Sequence, residues 1–296
     1  MQPKTLEIII GDVTKVSQEL AGRAIKEIEE ARKNGRDYNI ACAKGSSAVK
    51  YYEALKEVEN SGFCFTNVKA FCIDEDLNAT TGYDFARNNL PKGILIEGLR
   101  AKFSYDGGPV DGNLLSQIIA DNPSTYSHIG STYSHIGREI VIRPQRIIRS
   151  LSYGINNVCL SYEEKIIKSG GIDLAIIGLG IDPLHIGSNF PSTCENSITH
   201  LAGKINKDGN VIGYAMTMGT KTLCSAKKAV LFASGNKKAD GVKELLECAI
   251  NTNCPPSYLR NMDNLTLALD QAAASRLDFV KLNEVYKSRE LIIKKI

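Results

Sequence analysis

The sequence of 296 residues predicts an α/β fold: a Rossmann-like, mostly parallel sheet with helices on both faces and one inserted segment. Two observations predict it. Short apolar runs, typical of buried strands, alternate along most of the chain with stretches whose apolar residues recur at helical spacing. Glycines and polar residues also follow several of these runs directly. That pattern is typical of the carboxyl ends of strands, where open α/β sheets bind ligands.

Each predicted element follows from its own pattern. The first apolar run starts at Leu6 and precedes a helical stretch from Val13 to Lys33. The later strand-like runs are, in chain order, Tyr38 to Ala43, Val68 to Ile73, Gly171 to Leu179, Ala229 to Ser234 and Leu265 to Leu269. An amphipathic helix after the second strand is expected to continue through Glu57, and the run from Gln271 to Ser275 is expected to be helical.

One segment, at about residues 107–150, breaks this alternation. It contains a perfect seven-residue tandem repeat, Ser124–Gly130 followed by Ser131–Gly137. Two copies are too few for a repeat architecture, so the interpretation is a single domain over residues 1–296 with an inserted arm or lid. The repeated tyrosines and histidines form either a ligand patch or a duplicated surface loop. The run from Glu139 to Arg149 fits a strand or a short helix.

Bulk composition excludes several classes of protein. A net charge of +3 is too small for this length to favour nucleic-acid binding. No stretch is long and apolar enough to indicate a membrane span or a signal peptide. The eight cysteines are scattered without a C-x-x-C pair, which favours free thiols in a reducing compartment over disulfides or a zinc site. The chain is therefore expected to be soluble and cytoplasmic, with no nucleic-acid or membrane partner.

The most informative motif follows the predicted strand that ends at Leu179. Two glycines, Gly178 and Gly180, precede Asp182, and His185 comes three residues later. Glycines let the backbone approach a ligand closely, and a histidine beside a carboxylate can transfer protons near neutral pH. We therefore predict Asp182 and His185 as catalytic residues, although a histidine that only closes a loop is the plainer alternative.

Two further turns between a strand and a helix are candidate anion sites. The first is Lys44-Gly45-Ser46-Ser47, where helix N–H groups and hydroxyls favour an anion. Its spacing excludes a Walker A loop, and a simple N-cap would explain either serine equally well. The second turn carries Lys238. Together these turns predict a phosphorylated small molecule, bound by its phosphate, whose other end lies at His185.

Three consecutive carboxylates follow the predicted strand that ends at Ile73: Asp74, Glu75 and Asp76. At the ligand-binding edge of the sheet, one of them could act as a general base, since burial or a neighbouring charge would raise its pKa. A solvated acidic turn is the alternative. The motif therefore indicates a base without identifying it.

These motifs, taken in order, resemble the glucosamine-6-phosphate deaminase (isomerase) family and its relatives, the 6-phosphogluconolactonases. The resemblance covers most of the chain outside the insertion. The phosphate loop matches at Lys44–Ala48, and the deaminase motif F-N-M-D-E-Y matches Phe71–Asp76. Further matches are Tyr162–Lys165, Gly170–Leu174, Ala215–Leu223, Gly235–Ala239, Cys254–Ser257 and Leu269–Ser275.

The resemblance implies a mechanism. Asp74 would carry a proton between C2 and C1 of an open-chain amino-sugar 6-phosphate, and His185, oriented by Asp182, would help to open the ring. Residues Gly45, Ser46, Ser47 and Lys238 would hold the 6-phosphate. The products would be fructose 6-phosphate and ammonia, with no metal or organic cofactor. The resemblance also implies a homo-oligomer whose other partner is the small phosphorylated sugar.

Departures from the family pattern keep two alternatives open. The deaminase motif D-G-H-I-A-F-N-E-P has one residue between acid and histidine, whereas this chain has two, and its glutamate falls on Phe190, with Glu195 nearby as a substitute. The lactonase motif D-G-H-T-A-S-L-F-P shares His185, Ser188, Phe190 and Pro191, but lactonases carry Arg where this chain has Asp76. A lactonase and a catalytically impaired sugar-phosphate-binding homologue therefore remain possible.

Overall fold

A computed structural model describes residues 4–77, 80–99 and 147–296, together with short strands at 103–105, 108–109 and 140–142. Its strands are β1 (Thr5–Ile10), β2 (Tyr38–Cys42), β3 (Val68–Cys72), β4 (Asp74–Asp76), β5 (Leu95–Glu97), β6 (Phe103–Tyr105), β7 (Gly108–Pro109), β8 (Ile140–Ile142), β9 (Leu174–Gly180), β10 (His185–Ile186), β11 (His200–Ile205), β12 (Val211–Thr217), β13 (Lys228–Ala233), β14 (Asn264–Leu269) and β15 (Glu290–Lys295). Its helices are α1 (Val13–Lys33), α2 (Val49–Asn60), α3 (Thr81–Asn89), α4 (Ile147–Lys168), α5 (Thr220–Cys224), α6 (Ala239–Glu247) and α7 (Phe279–Val285).

The main sheet has the strand order β15-β1-β14-β13-β9-β2-β3-β5. Every neighbouring pair along this order is parallel, and only the short β10 pairs with β9 in the antiparallel sense. This confirms the predicted α/β class and mostly parallel sheet. In such a sheet the carboxyl ends of the strands share one edge, so the polar residues that follow β2, β3, β9 and β13 lie near one another.

Two apolar cores show that helices cover both faces of this sheet. Neighbouring residues of β1 point to opposite faces, and Ile9 belongs to one core, with α1, α2 and α3, whereas Ile8 belongs to the other, with α4, α6 and α7. The helix α1 has the predicted bounds, because Asp12 accepts N–H bonds from Thr14 and Lys15 and so caps its first turn.

The run after β14 corrects one expectation. Residues 271–276 form turns rather than a helix. The Asp270 carboxylate accepts one N–H bond from Ala273 and another from Gly235, at 2.7 and 2.8 Å. Side-chain bonds of this kind compete with helical hydrogen bonding. The alanine-rich composition was therefore a misleading helix signal.

A second, three-stranded antiparallel sheet, in the order β11-β12-β4, was not predicted. The three carboxylates of the acidic motif form its edge strand, in which Asp74 pairs with Thr217 and Asp76 with Ala215. Ile73 joins the two sheets: its N–H bonds to the carbonyl of Cys42 at the end of β2, and its own carbonyl accepts the N–H of Met218 just after β12.

The predicted insertion lies mostly outside the described residues. Within about 107–150 the structure describes only β7, β8 and the start of α4, and β8 pairs with β6 in a small third sheet. The expected strand or helix near residues 139–149 is thus a strand followed by a helix. The tandem repeat, with Tyr126, His128, Tyr133 and His135, lies outside the described residues, so its role as arm or lid stays a prediction.

Among the described helices, none combines the length and the apolar character needed to cross a bilayer. All eight cysteines carry free thiols, and four of them, Cys42, Cys72, Cys159 and Cys254, are buried.

Candidate active site

A cavity of about 290 Å³ lies at the carboxyl ends of β2, β3, β9 and β13. Six of the seven predicted site residues line it: Gly45, Ser46, Ser47, Asp74, His185 and Lys238. The cavity walls also include residues that the sequence did not single out as site residues: Lys44, Gly178, Gly180, Ser188, Phe190 and Lys204. The parallel sheet therefore gathers the anion turns, one carboxylate and the histidine into one place.

The first anion turn follows β2 directly. Gly45 has a φ of 145°, a backbone conformation that favours glycine, and a short 3-10 turn at Ser46–Ala48 leads into α2. The capping positions of the 3-10 turn and of α2 fall on Gly45 and Ala48, and neither makes a side-chain capping bond. The serines thus do not serve as N-caps, and the turn offers hydroxyl and N–H donors of the kind that bind anions at helix N-termini.

The second anion turn places a lysine across the cavity. Lys238 ends a 3-10 turn after β13, is half-buried, and donates from Nζ to the carbonyl of Leu179 at 2.6 Å. Burial lowers the pKa of Lys238, and the nearby charge of Asp182 partly offsets this. The bond to Leu179 fixes the ammonium beside the last residues of β9, within the cavity.

The three consecutive carboxylates have three different environments, and only Asp74 lines the cavity. Asp74 is 7% exposed. Its Oδ2 lies 3.3 Å from the hydroxyl of Ser188 and 3.7 Å from Nζ of Lys44. Burial raises the pKa of Asp74, and the positive charge of Lys44 opposes that rise. A buried carboxylate with a raised pKa at the cavity wall is suited to act as a general base.

Glu75 points away from the cavity and holds the start of α3. It is fully buried, and its two oxygens accept N–H bonds from Gly82 and Tyr83, at 2.6 and 2.9 Å. The hydroxyl of Thr81 also lies 3.2 Å from this carboxylate. Glu75 therefore has a structural environment rather than a catalytic one.

We expect Glu75→Ala to lower the free energy of unfolding by about 1–3 kcal/mol, because it removes the acceptor of the buried Gly82 N–H at the start of α3. Urea unfolding measures this change. Glu75→Gln is the matched control, since its amide oxygen retains one acceptor and should lose less stability. Equal stability of the alanine variant and the parent would contradict the structural role.

Asp76, the third carboxylate, forms ion pairs with two lysines. Its two oxygens accept bonds from Lys44 and Lys204, each at 2.8 Å, and Thr81 donates at 2.7 Å. Burial alone would raise the pKa of Asp76, but these hydrogen bonds outweigh it and hold that pKa well below its usual range. Asp76 is therefore a permanent anion that positions two lysines at the cavity.

His185 lies against the backbone of β9. In the β9–β10 pairing it stands opposite Gly180, and a Cβ added at Gly180 would lie 2.1 Å from the imidazole. Only glycine leaves room for the ring. The Phe190 ring packs on the imidazole, with 4.5 Å between the ring centroids. Burial lowers the pKa of His185, so the ring is neutral near pH 7.

The hydrogen bond of His185 corrects the expected role of Asp182. Nδ1 lies 2.7 Å from the carbonyl of Pro183, and because a carbonyl only accepts, Nδ1 carries the proton. Asp182 is exposed and does not line the cavity. A backbone carbonyl, rather than the Asp182 carboxylate, thus orients the ring. Glu195 is also exposed and accepts a bond from Asn261, outside the cavity.

Two lysines at this site were missed by sequence reasoning. Lys44 was part of the anion motif but had no role of its own, and Lys204 lies in β11, a strand that was not predicted. Within the described residues, no group of three or more His, Cys, Asp or Glu side chains is arranged to hold a metal ion.

Comparisons with known proteins bear on the family and the fold of this chain. The sequence model of the family described as glucosamine-6-phosphate isomerases/6-phosphogluconolactonase matches residues 121–267. The glucosamine-6-phosphate deaminase of Thermoanaerobacter sp. (strain X514) is 27% identical over 92% of this chain and 97% of its own length. That of Clostridium acetobutylicum is 31% identical over 54% of this chain and 70% of its own length.

Solved structures share the fold. A monomeric glucosamine-6-phosphate deaminase has a TM-score of 0.62 at 22% identity, covering 92% of this chain and 99% of its own. The 6-phosphogluconolactonase of Trypanosoma brucei has a TM-score of 0.64 at 17% identity, covering 94% and 100%. At these identities the likeness concerns the fold, and it extends equally to both enzyme types.

Proposed function

Because the chain belongs to the glucosamine-6-phosphate isomerase/6-phosphogluconolactonase family, we propose that it isomerises and deaminates an amino-sugar 6-phosphate. The reaction converts glucosamine 6-phosphate and water to fructose 6-phosphate and ammonia. The observation that carries the proposal is Asp74: a buried carboxylate of raised pKa in the cavity, as a base that removes a proton from carbon requires. The deaminases among the relatives support the same substrate class.

The 6-phosphate binds at the two anion turns. The N–H and hydroxyl groups of Gly45, Ser46 and Ser47 donate to its oxygens, and Lys238 supplies a positive charge. Lys238 is anchored on the Leu179 carbonyl, so little side-chain freedom is lost when the phosphate binds. This end of the site fixes the position of the sugar without taking part in bond breaking.

His185 acts at the ring-opening step. With its proton on Nδ1 and a lowered pKa, the neutral imidazole presents Nε2 as a proton acceptor. Nε2 takes the proton of the C1 hydroxyl, the C1–O5 bond breaks, and Nε2 passes this proton to the ring oxygen. The open-chain aldehyde results. Pro183 takes over, through its carbonyl, the orienting role that a carboxylate would have.

Asp74 performs the carbon chemistry. It removes the proton from C2, the electron pair of the C2–H bond forms a C1=C2 double bond, and the aldehyde oxygen takes a proton from the ammonium group on C2. Asp74 then returns its proton to C1, which leaves an iminium at C2. Water adds to C2, ammonia leaves, and the ketone of fructose 6-phosphate forms. One carboxylate that reaches both carbons suffices for both transfers.

A second candidate function is 6-phosphogluconolactone hydrolysis, and the environment of His185 favours it. A neutral imidazole with a free acceptor nitrogen can activate water for attack on a lactone carbonyl. Phe190 packs on this ring, at the position where the deaminase motif has a glutamate. In this reaction Asp74 would bind substrate rather than remove a proton.

A paired assay separates these functions. Purified protein is given glucosamine 6-phosphate, with ammonia and fructose 6-phosphate measured together, and 6-phosphogluconolactone hydrolysis is followed in parallel. We expect ammonia and ketose phosphate in equal amounts. Lactone hydrolysis alone would establish the second candidate. Neither activity, with a sugar phosphate still raising Tm, would identify a binding homologue that has lost catalysis.

We propose that the assembly is a homo-oligomer, as the resemblance implies, and that the location is cytoplasmic, as the scattered cysteines indicate. One solved relative is described as a monomeric deaminase. The number of subunits therefore has to be measured for this chain itself. Light scattering on the eluting peak of a sizing column measures it: a mass of 32.3 kDa would mean a monomer, and a multiple of this mass an oligomer.

A further inference from the structure

Four charged side chains form a continuous row along one wall of the cavity. Lys204 Nζ lies 2.8 Å from one oxygen of Asp76, and Lys44 Nζ lies 2.8 Å from the other. Lys44 Nζ then lies 3.7 Å from Oδ2 of Asp74. The row joins three elements: β11, β4 and the anion turn after β2.

Lys44 is held firmly within this row. Besides Asp76, the hydroxyl of Thr81 accepts a hydrogen bond from Nζ at 3.0 Å, and 21% of the side chain is exposed. Burial would lower the pKa of Lys44, but the charges of Asp74 and Asp76 outweigh it and raise that pKa, so the ammonium stays charged. Lys44 is therefore a fixed positive charge and a poor nucleophile.

The distance to Asp74 matters as much as the charge. At 3.7 Å the ammonium attracts the carboxylate but makes no hydrogen bond to it. Oδ2 already accepts the bond from Ser188 at 3.3 Å, and at its longer distance Lys44 occupies no further lone pair of the carboxylate. The nearby charge still stabilises the anion in a buried setting.

We propose that Lys44, tethered by Asp76, is a positioning residue that keeps the buried Asp74 ionised and free to take a proton. This inference rests on the proposed function, since it takes Asp74 as the carbon base. It assigns a role to the acidic residue at position 76, namely to hold the lysine at its working distance.

Other groups face Asp74 from each element packed on it. Ser188 donates a hydrogen bond from the loop after β10, and His185, in β10, is neutral near pH 7. Glu75, in the same strand as Asp74, is turned to the start of α3. Lys204, in β11, is bound to the far oxygen of Asp76. Lys44 is thus the cation closest to the carboxylate among the described residues.

The test replaces Lys44 by Met, with Lys44→Arg as the variant that keeps the charge. Two properties are measured for each: the pH profile of kcat/KM for the deaminase reaction, and the titration of the Asp74 carboxyl carbon by NMR in protein with ¹³C-labelled aspartate, assigned with Asp74→Asn. Lys165→Met, which removes an exposed ion pair with Glu97 outside the cavity, is the control.

The ionised base is lost as pH falls, so activity declines on the acidic side of the profile. Loss of the lysine charge raises the pKa of Asp74, and we expect the acidic limb and the NMR midpoint to move to higher pH by about one unit or more in Lys44→Met. Lys44→Arg should restore both toward the parent, and Lys165→Met should leave both in place. Unchanged midpoints in Lys44→Met, or equal shifts in the Met and Arg variants, would overturn the proposal.

The two readouts separate this inference from the proposed function. If the parent shows no deaminase turnover, the proposed function fails, and the NMR midpoint alone decides whether Lys44 controls the ionisation of Asp74. If the parent turns over substrate and the midpoint does not move in Lys44→Met, the inference fails and the proposed function stands. Tm of each variant verifies that the fold is retained.

Discussion

Asp74→Asn is expected to lower kcat for fructose 6-phosphate formation by about 100- to 10,000-fold. The amide has the shape of the carboxylate and can keep its contact with Ser188, but it cannot accept a proton from carbon. Binding of a sugar phosphate should persist, because the proposed phosphate contacts lie at Gly45–Ser47 and Lys238. Stopped-flow or coupled assays measure kcat, and calorimetry measures Kd for fructose 6-phosphate.

Asp182→Asn is the informative control for this substitution. Sequence reasoning alone places Asp182 beside the histidine, whereas in the structure it is exposed and outside the cavity. We therefore expect a change of only a few-fold in kcat. A loss as large as that of Asp74→Asn would mean that the carboxylate of Asp182 enters the site during turnover, and normal turnover by Asp74→Asn would exclude Asp74 as the base.

The second large loss of kcat/KM is expected from a substitution at Gly180. A methyl group at position 180 would lie 2.1 Å from Cε1 and 2.2 Å from Nε2 of His185, so Gly180→Ala must displace the imidazole. A displacement of this size costs on the order of 100-fold in kcat/KM. The variant keeps every ionisable group of the site. A loss of kcat/KM would therefore result from the displaced imidazole and not from a missing functional group.

Gly22→Ala is the matched control for Gly180→Ala. Gly22 lies on the exposed side of α1, and a Cβ there meets nothing within 4 Å. It should leave turnover unchanged and make the helix slightly more stable. Comparing kcat/KM and Tm of the two variants distinguishes a displaced histidine from a general loss of fold. Parent-like turnover by Gly180→Ala would show that His185 does not act from the observed position.

The sequence was sufficient for most of the main sheet because that sheet is built from local signals. The apolar runs of β9 and β14 are buried on both faces, and such runs are visible without tertiary information. The helix α1 was predicted from its apolar spacing alone, and the structure places the Asp12 cap where the predicted helix begins. The anion turns were found for the same reason, since each directly follows a strand of this sheet.

The small sheet could not be predicted in the same way. Its strands β11 and β12 are only partly buried and carry exposed apolar residues such as Ile212, so the alternation of buried and polar positions is weak. As a result, nothing in the sequence indicated that Lys204 lies at the site, since its position depends on β11. The role of Asp182 failed for a different reason: whether a carboxylate or the next carbonyl reaches Nδ1 is a matter of loop geometry that residue spacing does not determine.

Because Ile73 joins the two sheets, its position affects which length of substrate the site can hold. The proposed base, Asp74, belongs to the antiparallel sheet, whereas the proposed phosphate loop follows a strand of the parallel one, and Ile73 is bonded to both sheets. The span from the Asp74 carboxylate to this loop is therefore governed by the junction between the two sheets and not by either sheet alone. A shift at this junction changes which carbon of a sugar phosphate of given length lies beside Asp74. In this fold, the backbone hydrogen bonds of Ile73 determine which length of sugar phosphate fits the site.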